Sequence, residues 1–538
     1  MDNHNTGYIT NVVTGEGLKA MADEVRGLEN RDCYGGLIKY LKSQCGSRIC
    51  VLYGLRRTGK TTMLQQAIGE LPLSECAYLK AKTTDTMADM NSDLKLLYKN
   101  GFRYIFIDEV TLLEDFIDSA SLFSDIFAAQ GMKIVLSGTD SLGFWLTLNQ
   151  ELYDRAALIH TTFIPFHEHS RLLKINDLDE YIRYGGTLRA GETDFDDKEL
   201  FADEVSFRDD ESTRRYIDTA ICRNIQNSLA FYENGGHFRH LYDLYKANEL
   251  TNAINRIVED INHRFVVNTI IEKFKSHDLG TAAANLRKER SEELRTDIFD
   301  RIDINAVTER LMAILDIHNR ENQKIGITEA HIEEIKEYLK ALDLIVDCPV
   351  ESTVQNAEPT EHILFTQPGM RFCQAQALVH SLMKDAVFLA ASEHEKDIAA
   401  ARILDEVRGR MTEDIVLLET VKQLGKKFKV FKLQFARGEM DMVIYNPDSN
   451  SCEIYEIKHS AEAVPEQYRH LVDYEKCALT EQRFGKITKR TVLYNGENFT
   501  EENGVEYRNV SEYLKLLPQF AQDMAQNLRQ TDGMRFGC

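Results

Sequence analysis

Short runs of large apolar residues, each closed by glycine, acids or small polar residues, punctuate the N-terminal third of the chain. Ile49-Cys50-Val51-Leu52-Tyr53, Cys76-Ala77-Tyr78-Leu79-Lys80, Tyr104-Ile105-Phe106-Ile107 and Lys133-Ile134-Val135-Leu136 read as strands, and Leu158 to Ile164 as another. Helical patterns separate them: about Asp32 to Lys42, Met63 to Gly69, a segment with Met90, Leu94, Leu97 and Tyr98 on one side, and about Asp115 to Ala129. Apolar runs without alternation, spaced by helices, predict buried parallel strands in an α/β unit. Residues 1 to about 30 have no clear period and read as a flexible arm or a short lid.

From about His169 to Asp385 the pattern turns helical, with many charges and few strand signals. Thr328 is placed as an N-cap, Ile327 can staple to Ile332, and Ile332, Ile335, Leu339 and Leu342 share a face. Leu344-Ile345-Val346 and Ile363-Leu364-Phe365 then suit the two strands of a wing, so a winged helix fits this stretch. Its exposed glutamates, Glu329, Glu333, Glu334 and Glu337, suit a protein contact or a solvated face better than a DNA groove. Further on, Glu413 to Thr420 lies in a helix, and a basic stretch with Lys422, Lys426, Lys427, Lys429, Lys432 and Arg437 follows. Two alternating strands, Gly438 to Tyr445 and Cys452 to Lys458, flank an Asn446-Pro447-Asp448-Ser449 turn.

Chemistry enters first at Gly54-Leu55-Arg56-Arg57-Thr58-Gly59-Lys60-Thr61-Thr62, between a strand and a helix. The glycines permit backbone conformations that curl successive N–H groups round an anion, and the helix start aims its positive end at the same point. Lys60 offers an ammonium to β/γ-phosphates and the Thr61 hydroxyl can enter a Mg²⁺ shell, so ATP with Mg²⁺ is the expected ligand. The expected nucleotide set is Gly54, Arg57, Thr58, Gly59, Lys60, Thr61 and Thr62, with Asp108 and Ser137. Asp108 ends a buried strand where it can hold the metal, and Glu109 can polarise the attacking water. Ser137 and Thr139 close the next strand and can touch the γ-phosphate or that water. Arg155, just before the Leu158 strand, is a candidate for steadying charge on the leaving phosphate, within its subunit or across an interface between copies. Arg56 and Arg57 are similar candidates.

The second constellation lies in the late hairpin. If it closes symmetrically, Tyr445 pairs with Cys452, Asp441 lies opposite Glu456, and Lys458 shares the face of Glu456. Facing like charges are unfavourable unless something offsets them, and a divalent cation would do so.

Bulk properties narrow the partners. A chain of 538 residues suggests about three or four domains. Its formal charge of −22 confines nucleic-acid binding to local basic patches, for which the Lys422 to Arg437 stretch is the candidate. Ten scattered cysteines without zinc spacing read as reduced thiols, and no stretch approaches membrane-spanning length, so a cytoplasmic protein is expected.

Several residues together resemble a known family. The Gly54 to Thr62 loop, Phe106-Ile107-Asp108-Glu109, Leu136-Ser137-Gly138-Thr139, Arg155 and Tyr181-Ile182-Arg183-Tyr184-Gly185-Gly186 look like the AAA-type ATPases often called the archaeal ATPase family. Thr187 departs from the small apolar-proline ending that family shows after its double glycine. The resemblance implies an α/β P-loop NTPase core of the AAA, ASCE type, fused to a winged helix and a nuclease-like domain. The Asp441, Glu456-x-Lys458 arrangement resembles PD-(D/E)xK nucleases. That likeness implies Mg²⁺ or Mn²⁺ on Asp441 and Glu456, Lys458 on the water, Glu419 completing the shell and Gln467 as a further polar site residue. The expected organisation is an ATPase domain at 1–168, a helical connector at 169–300, a winged-helix-like region at 301–385 and an α/β nuclease-like domain at 386–538. The expected function is ATP hydrolysis coupled to action on DNA. A nucleotide-dependent protein-interaction switch, or a DNA-binding regulator with a non-catalytic C-terminal domain, is the alternative.

Overall fold

The computed structural model describes residues 7–43, 46–113, 115–139, 144, 152, 154–188, 210–222, 225, 229, 238–275, 326–354, 360–384, 388 and 392–520. Parts of the expected connector, 189–209 and 276–300, and the start of the expected winged-helix-like region, 301–325, lie outside them. Among the described residues no helix is long and apolar enough to cross a membrane.

Six strands form the first sheet: β1 (Val12–Val13), β2 (Ile49–Tyr53), β3 (Cys76–Lys80), β4 (Tyr104–Asp108), β5 (Lys133–Gly138) and β6 (Ala156–His160). Their order is β1-β3-β4-β5-β2-β6, and all but β1 run parallel. Side chains alternate across the sheet, and because both faces are covered, both sets are apolar. Ile49, Val51, Ile105, Ile107, Ile134 and Leu136 enter one core. Cys50, Leu52, Phe106 and Val135 enter the other. Truncating one of these, such as Phe106→Ala, removes contacts worth about 3–5 kcal/mol. Helices α1 (Glu16–Glu24), α2 (Tyr34–Lys42), α3 (Lys60–Gly69) and α4 (Met87–Lys99) alternate with the strands. The α4 start is fixed by a capping box between Thr86 and Asp89.

The N-terminal stretch is docked rather than loose. The Ile9 and Thr10 N–H groups donate to Asp93 at 2.8 and 2.7 Å, and β1 pairs with the edge of β3. The expected Asp115 to Ala129 helix is broken into a turn at Phe116–Ser119 and a π-helical segment at Phe123–Ala128. The last strand of the sheet ends at His160, earlier than expected, and the chain then turns over the phosphate loop.

Helices α5 (Phe166–Leu173), α6 (Leu178–Tyr184), α7 (Asp210–Ile217), α8 (Leu250–Lys275) and α9 (Glu329–Ala341) lead towards a second, mixed sheet. Thr328 caps α9 as its sequence predicts. Strands β7 (Ile345–Ser352) and β8 (Thr360–Phe365) form the expected antiparallel hairpin. They do not stand apart as a wing, however, because β7 pairs in parallel with β9 (Lys429–Gln434). With β10 (Glu439–Asn446), β11 (Ser451–Ile457), β12 (Lys486–Tyr494), β13 (Phe499–Thr500) and β14 (Glu506–Asn509) they make one sheet of order β13-β14-β12-β11-β10-β9-β7-β8. This sheet thus takes strands from both sides of the expected boundary at 385/386.

Two helices lie between the halves, α10 (Pro368–Met383) and the 32-residue α11 (Glu393–Leu424). From Met411 to Thr420 every α11 residue is buried, because the second sheet covers one side and helices cover the rest. Glu413, Asp414 and Glu419 fall in that stretch, and a buried carboxylate needs its own partners. Each has found a different set.

Candidate functional sites

The phosphate loop leaves β2 at Tyr53 and enters α3 at Lys60. Gly54 has φ +146°, and a Cβ on it would stand 2.6 Å from Thr161 Oγ1. Gly59 has φ +85°, and a Cβ there would meet Leu188 Cδ1 at 2.7 Å. Both positions therefore require glycine. The Lys60 ammonium donates to the Gly54 and Leu55 carbonyls at 2.8 Å each, spanning the loop mouth. Burial lowers its pKa to about 8 against the pull of Glu109 and Asp108. The Thr61 hydroxyl donates to Asp108 Oδ2 at 2.8 Å, and Tyr78 OH donates to the same oxygen at 2.9 Å. Thr58 Oγ1 reaches the Leu55 carbonyl at 2.8 Å, and Thr62 follows on α3.

Glu109 adopts φ +55°, which turns its side chain out of the strand, and Thr139 Oγ1 donates to it at 3.3 Å. Burial and the neighbouring Asp108 charge raise its pKa, as suits a group that accepts a proton. Ser137 lies one position beyond the paired Ile107 and Leu136, beside Asp108, and its buried hydroxyl has no hydrogen-bond partner among the described residues. These features fit a nucleoside triphosphate with Mg²⁺: a cradle that admits no Cβ, a cation across its mouth, a Thr–Asp pair and an unpaired buried hydroxyl.

Arg155 is not brought there. Ile49 pairs with Ala156 and Tyr53 with His160, so Arg155 precedes the far end of β6 while the loop sits at the near end. Its guanidinium faces Asp125 at 3.3 Å. The four paired positions between correspond to roughly 13 Å. Residues that motif reading missed fill the neighbourhood instead. Arg31, buried beside Glu168, donates to the Thr58 carbonyl. Thr161 Oγ1 lies 2.8 Å from Thr58 Oγ1. Neither stands in a recognisable local pattern.

At the second site Tyr445 pairs with Cys452, as the symmetric hairpin predicts, and Met442 with Tyr455, which sets Asp441 opposite Glu456. Lys458 Nζ lies 3.0 Å from Asp441 Oδ2 and 2.8 Å from Glu456 Oε2, and the Ile457 N–H donates to Asp441 at 2.7 Å. Burial opposes the Asp441 charge, but Lys458 and Lys432 hold its carboxyl well below the usual range. Glu456 and Glu413 are pushed up by burial and by Asp441. One oxygen each from Glu413, Glu439 and Asp441 can be chosen within 4.8 Å of one another. Glu456 Oε1 is buried without a hydrogen-bond donor among the described residues, His470 Nδ1 standing 3.5 Å away and donating to the Glu439 carbonyl at 2.8 Å. Asp441, Glu456, Lys458, Gln467 and His470 line one cavity of about 840 Å³. This oxygen-rich set suits a hard divalent cation.

Two expectations are corrected here. The α11 residue that reaches the cluster is Glu413, whereas Glu419 accepts the Phe166 N–H at 2.6 Å in another part of the core. Nor do Lys422, Lys429 and Lys432 form an exposed patch beside the acids. Lys432 is buried with Glu413, Lys422 is held by Asp343, and Lys429 pairs across from Tyr445 at the other end of the hairpin.

A family model described as an AAA domain matches residues 46–170. No curated protein matches the chain. Among solved structures, the Hsp104–ADP complex of S. cerevisiae is similar at 12% identity and TM-score 0.24, over 74% of this chain and 50% of that one. The Aeropyrum pernix ORC1 protein in complex with DNA matches at 13% identity and TM-score 0.21, over 68% of this chain and 92% of that one. A katanin structure on self-assembly matches at 12% and TM-score 0.19, over 60% and 96%. The chain thus spans about half the length of the Hsp104 chain. The sheet order and the loop agree with the family match: residues 46–170 of this chain are an AAA domain.

Proposed function

We propose that this protein binds and hydrolyses ATP with Mg²⁺ at the Gly54–Thr61 loop and uses a C-terminal, divalent-metal-dependent site to cut DNA. The observation that carries the first half is the joining of Lys60, Thr61, Asp108 and Glu109 round one loop mouth. Lys60 would hold the β/γ-phosphates, Thr61 and Asp108 the Mg²⁺, and Glu109 would take the proton of the attacking water. The strand β5 between β2 and β4 supports the ASCE assignment.

Support for the second half is the convergence of Asp441, Glu456 and Lys458 from a hairpin with Glu413 from a helix. Asp441, Glu456 and Glu413 would hold the metal, which would supply an acidified water and charge stabilisation on a phosphodiester. Lys458 would orient that water. The ion pairing of Glu413 and Glu439 by Arg410 and Lys432 favours, as a second reading, a non-catalytic docking domain governed by nucleotide. The test scores ATP hydrolysis and Mn²⁺-dependent DNA nicking for Lys60→Ala and Asp441→Ala separately. Loss of nicking with Asp441→Ala supports the nuclease. Unchanged products, with partner binding lost in Lys60→Ala, support the switch.

A further inference from the structure

Tyr216, Gln367, one turn of α10 and Arg371 link the phosphate loop to the helix that carries Glu413. Gln367, fully buried, is the N-cap residue of α10, and its Nε2 donates to Tyr216 OH at 2.8 Å. Tyr216, on α7, lies under the loop: its hydroxyl stands 3.4 Å from the Arg56 carbonyl and its ring is 5.8 Å from the Arg57 guanidinium. A second contact fixes the same helix start. Gly186 packs so tightly on it that a Cβ would stand 2.5 Å from the Thr366 carbonyl, and two residues later the Leu188 N–H donates to the Arg57 carbonyl at 3.0 Å.

Four residues into α10, Arg371 is fully enclosed. Its guanidinium pairs with Asp414, donates to Asn262 Oδ1 at 3.1 Å and to the Ile363 carbonyl at 3.0 Å, and stacks on Phe265. His362 Nε2 lies 2.6 Å from the other Asp414 oxygen. Asp414 adjoins Glu413 on α11, so Arg371 and His362 set the rotation of the helix that aims Glu413 at Asp441. The loop has an evident reason to move. Phosphates compete for the Lys60 ammonium, which in this state is spent on the Gly54 and Leu55 carbonyls. The next two carbonyls, of Arg56 and Arg57, are those that Tyr216 and Leu188 engage. Close-packed cores pass on such shifts as discrete rearrangements instead of absorbing them.

We infer that nucleotide occupancy of the loop regulates the acid cluster of the same chain, through Tyr216–Gln367, α10 and Arg371–Asp414. This rests on the two-site reading above, and the experiment separates the two. In the full chain, hydrogen exchange is followed by mass spectrometry with and without ADP. Mn²⁺ uptake is measured alongside, with the Asp441-dependent site defined as the difference between the wild type and Asp441→Asn. The expected results are a change of about fivefold or more in exchange over 410–416 and in Mn²⁺ affinity at that site on adding ADP, a typical coupling. Tyr216→Phe, which keeps the ring and removes the hydroxyl that accepts from Gln367 and faces the Arg56 carbonyl, should bind ADP within about threefold of wild type and lose most of that response. The inference is overturned if ADP binds but exchange over 410–416 does not respond, or if Tyr216→Phe responds like the wild type. Absence of any Asp441-dependent Mn²⁺ site sinks the nuclease reading instead, and the link then stands or falls on the exchange data.

Discussion

Glu413 and Glu419 share helix α11 and face different parts of the molecule. Glu413 takes Arg410 Nη1 at 3.0 Å beside Asp441, and Glu419 takes the Phe166 N–H at 2.6 Å. Six positions on an α-helix amount to about 120° of rotation and roughly 9 Å of rise, so the two carboxylates cannot serve one site.

Divalent-ion uptake should separate them. Glu413→Gln and Asp441→Asn are each expected to weaken Mn²⁺ binding by about tenfold or more, while Glu419→Gln leaves it within experimental scatter. Calorimetric titration reads the difference: unchanged binding by Glu413→Gln would remove Glu413 from the cluster, and equal loss in all three variants would return Glu419 to it.

Stability against pH is the test for Glu419. Burial lifts its pKa from 4.5 to about 7, opposed by the Phe166 N–H. A carboxyl raised on folding contributes stability below its unfolded pKa, and that contribution is lost as pH rises towards 7. The loss is on the order of 3 kcal/mol at full ionisation. Glu419→Gln keeps an acceptor for Phe166, so its thermal midpoint should fall less than that of the wild type between pH 5 and 8. A wild-type midpoint that does not decline relative to the variant over this range would exclude a strained carboxylate at 419.

The two halves of the nucleotide site should fail differently. Lys60→Ala is expected to weaken ATP binding by about 10–100-fold, the worth of one or two charged hydrogen bonds. Glu109→Gln should bind ATP normally and hydrolyse it about a hundredfold more slowly or worse. Calorimetry and phosphate release distinguish binding from turnover. Normal hydrolysis by Glu109→Gln would transfer the proton-accepting role elsewhere.

Arg155→Ala tests the position of that guanidinium at the far edge of the sheet. Hydrolysis by dilute protein should change less than about threefold, as expected of an exposed pair with Asp125. A large loss that appears only as concentration rises would mean that Arg155 serves the loop of a neighbouring copy.

Local pattern was enough for much of this protein. The loop could be read because its chemistry is a short-range matter: two glycines, one lysine and one threonine at fixed spacing between a strand and a helix. The hairpin register was legible because the Asn446 to Ser451 turn fixes which residues oppose each other, and so set Asp441 against Glu456. Neither inference needed a distant partner.

Tertiary structure alone decided the rest. Whether β7 and β8 make a free wing or the edge of a larger sheet depends on pairing with β9, about 80 residues further along. Which face of α11 meets the acids cannot be read from a segment buried all round, since the apolar stripe that orients a surface helix is missing from Met411 to Thr420. Arg155 lay near the right strand in sequence but at its wrong end in space, because β6 runs parallel to β2 and so starts at the edge of the sheet away from the phosphate loop. Sequence specifies contacts made within a turn or a hairpin, and packing between distant segments specifies which of the resulting side chains meet.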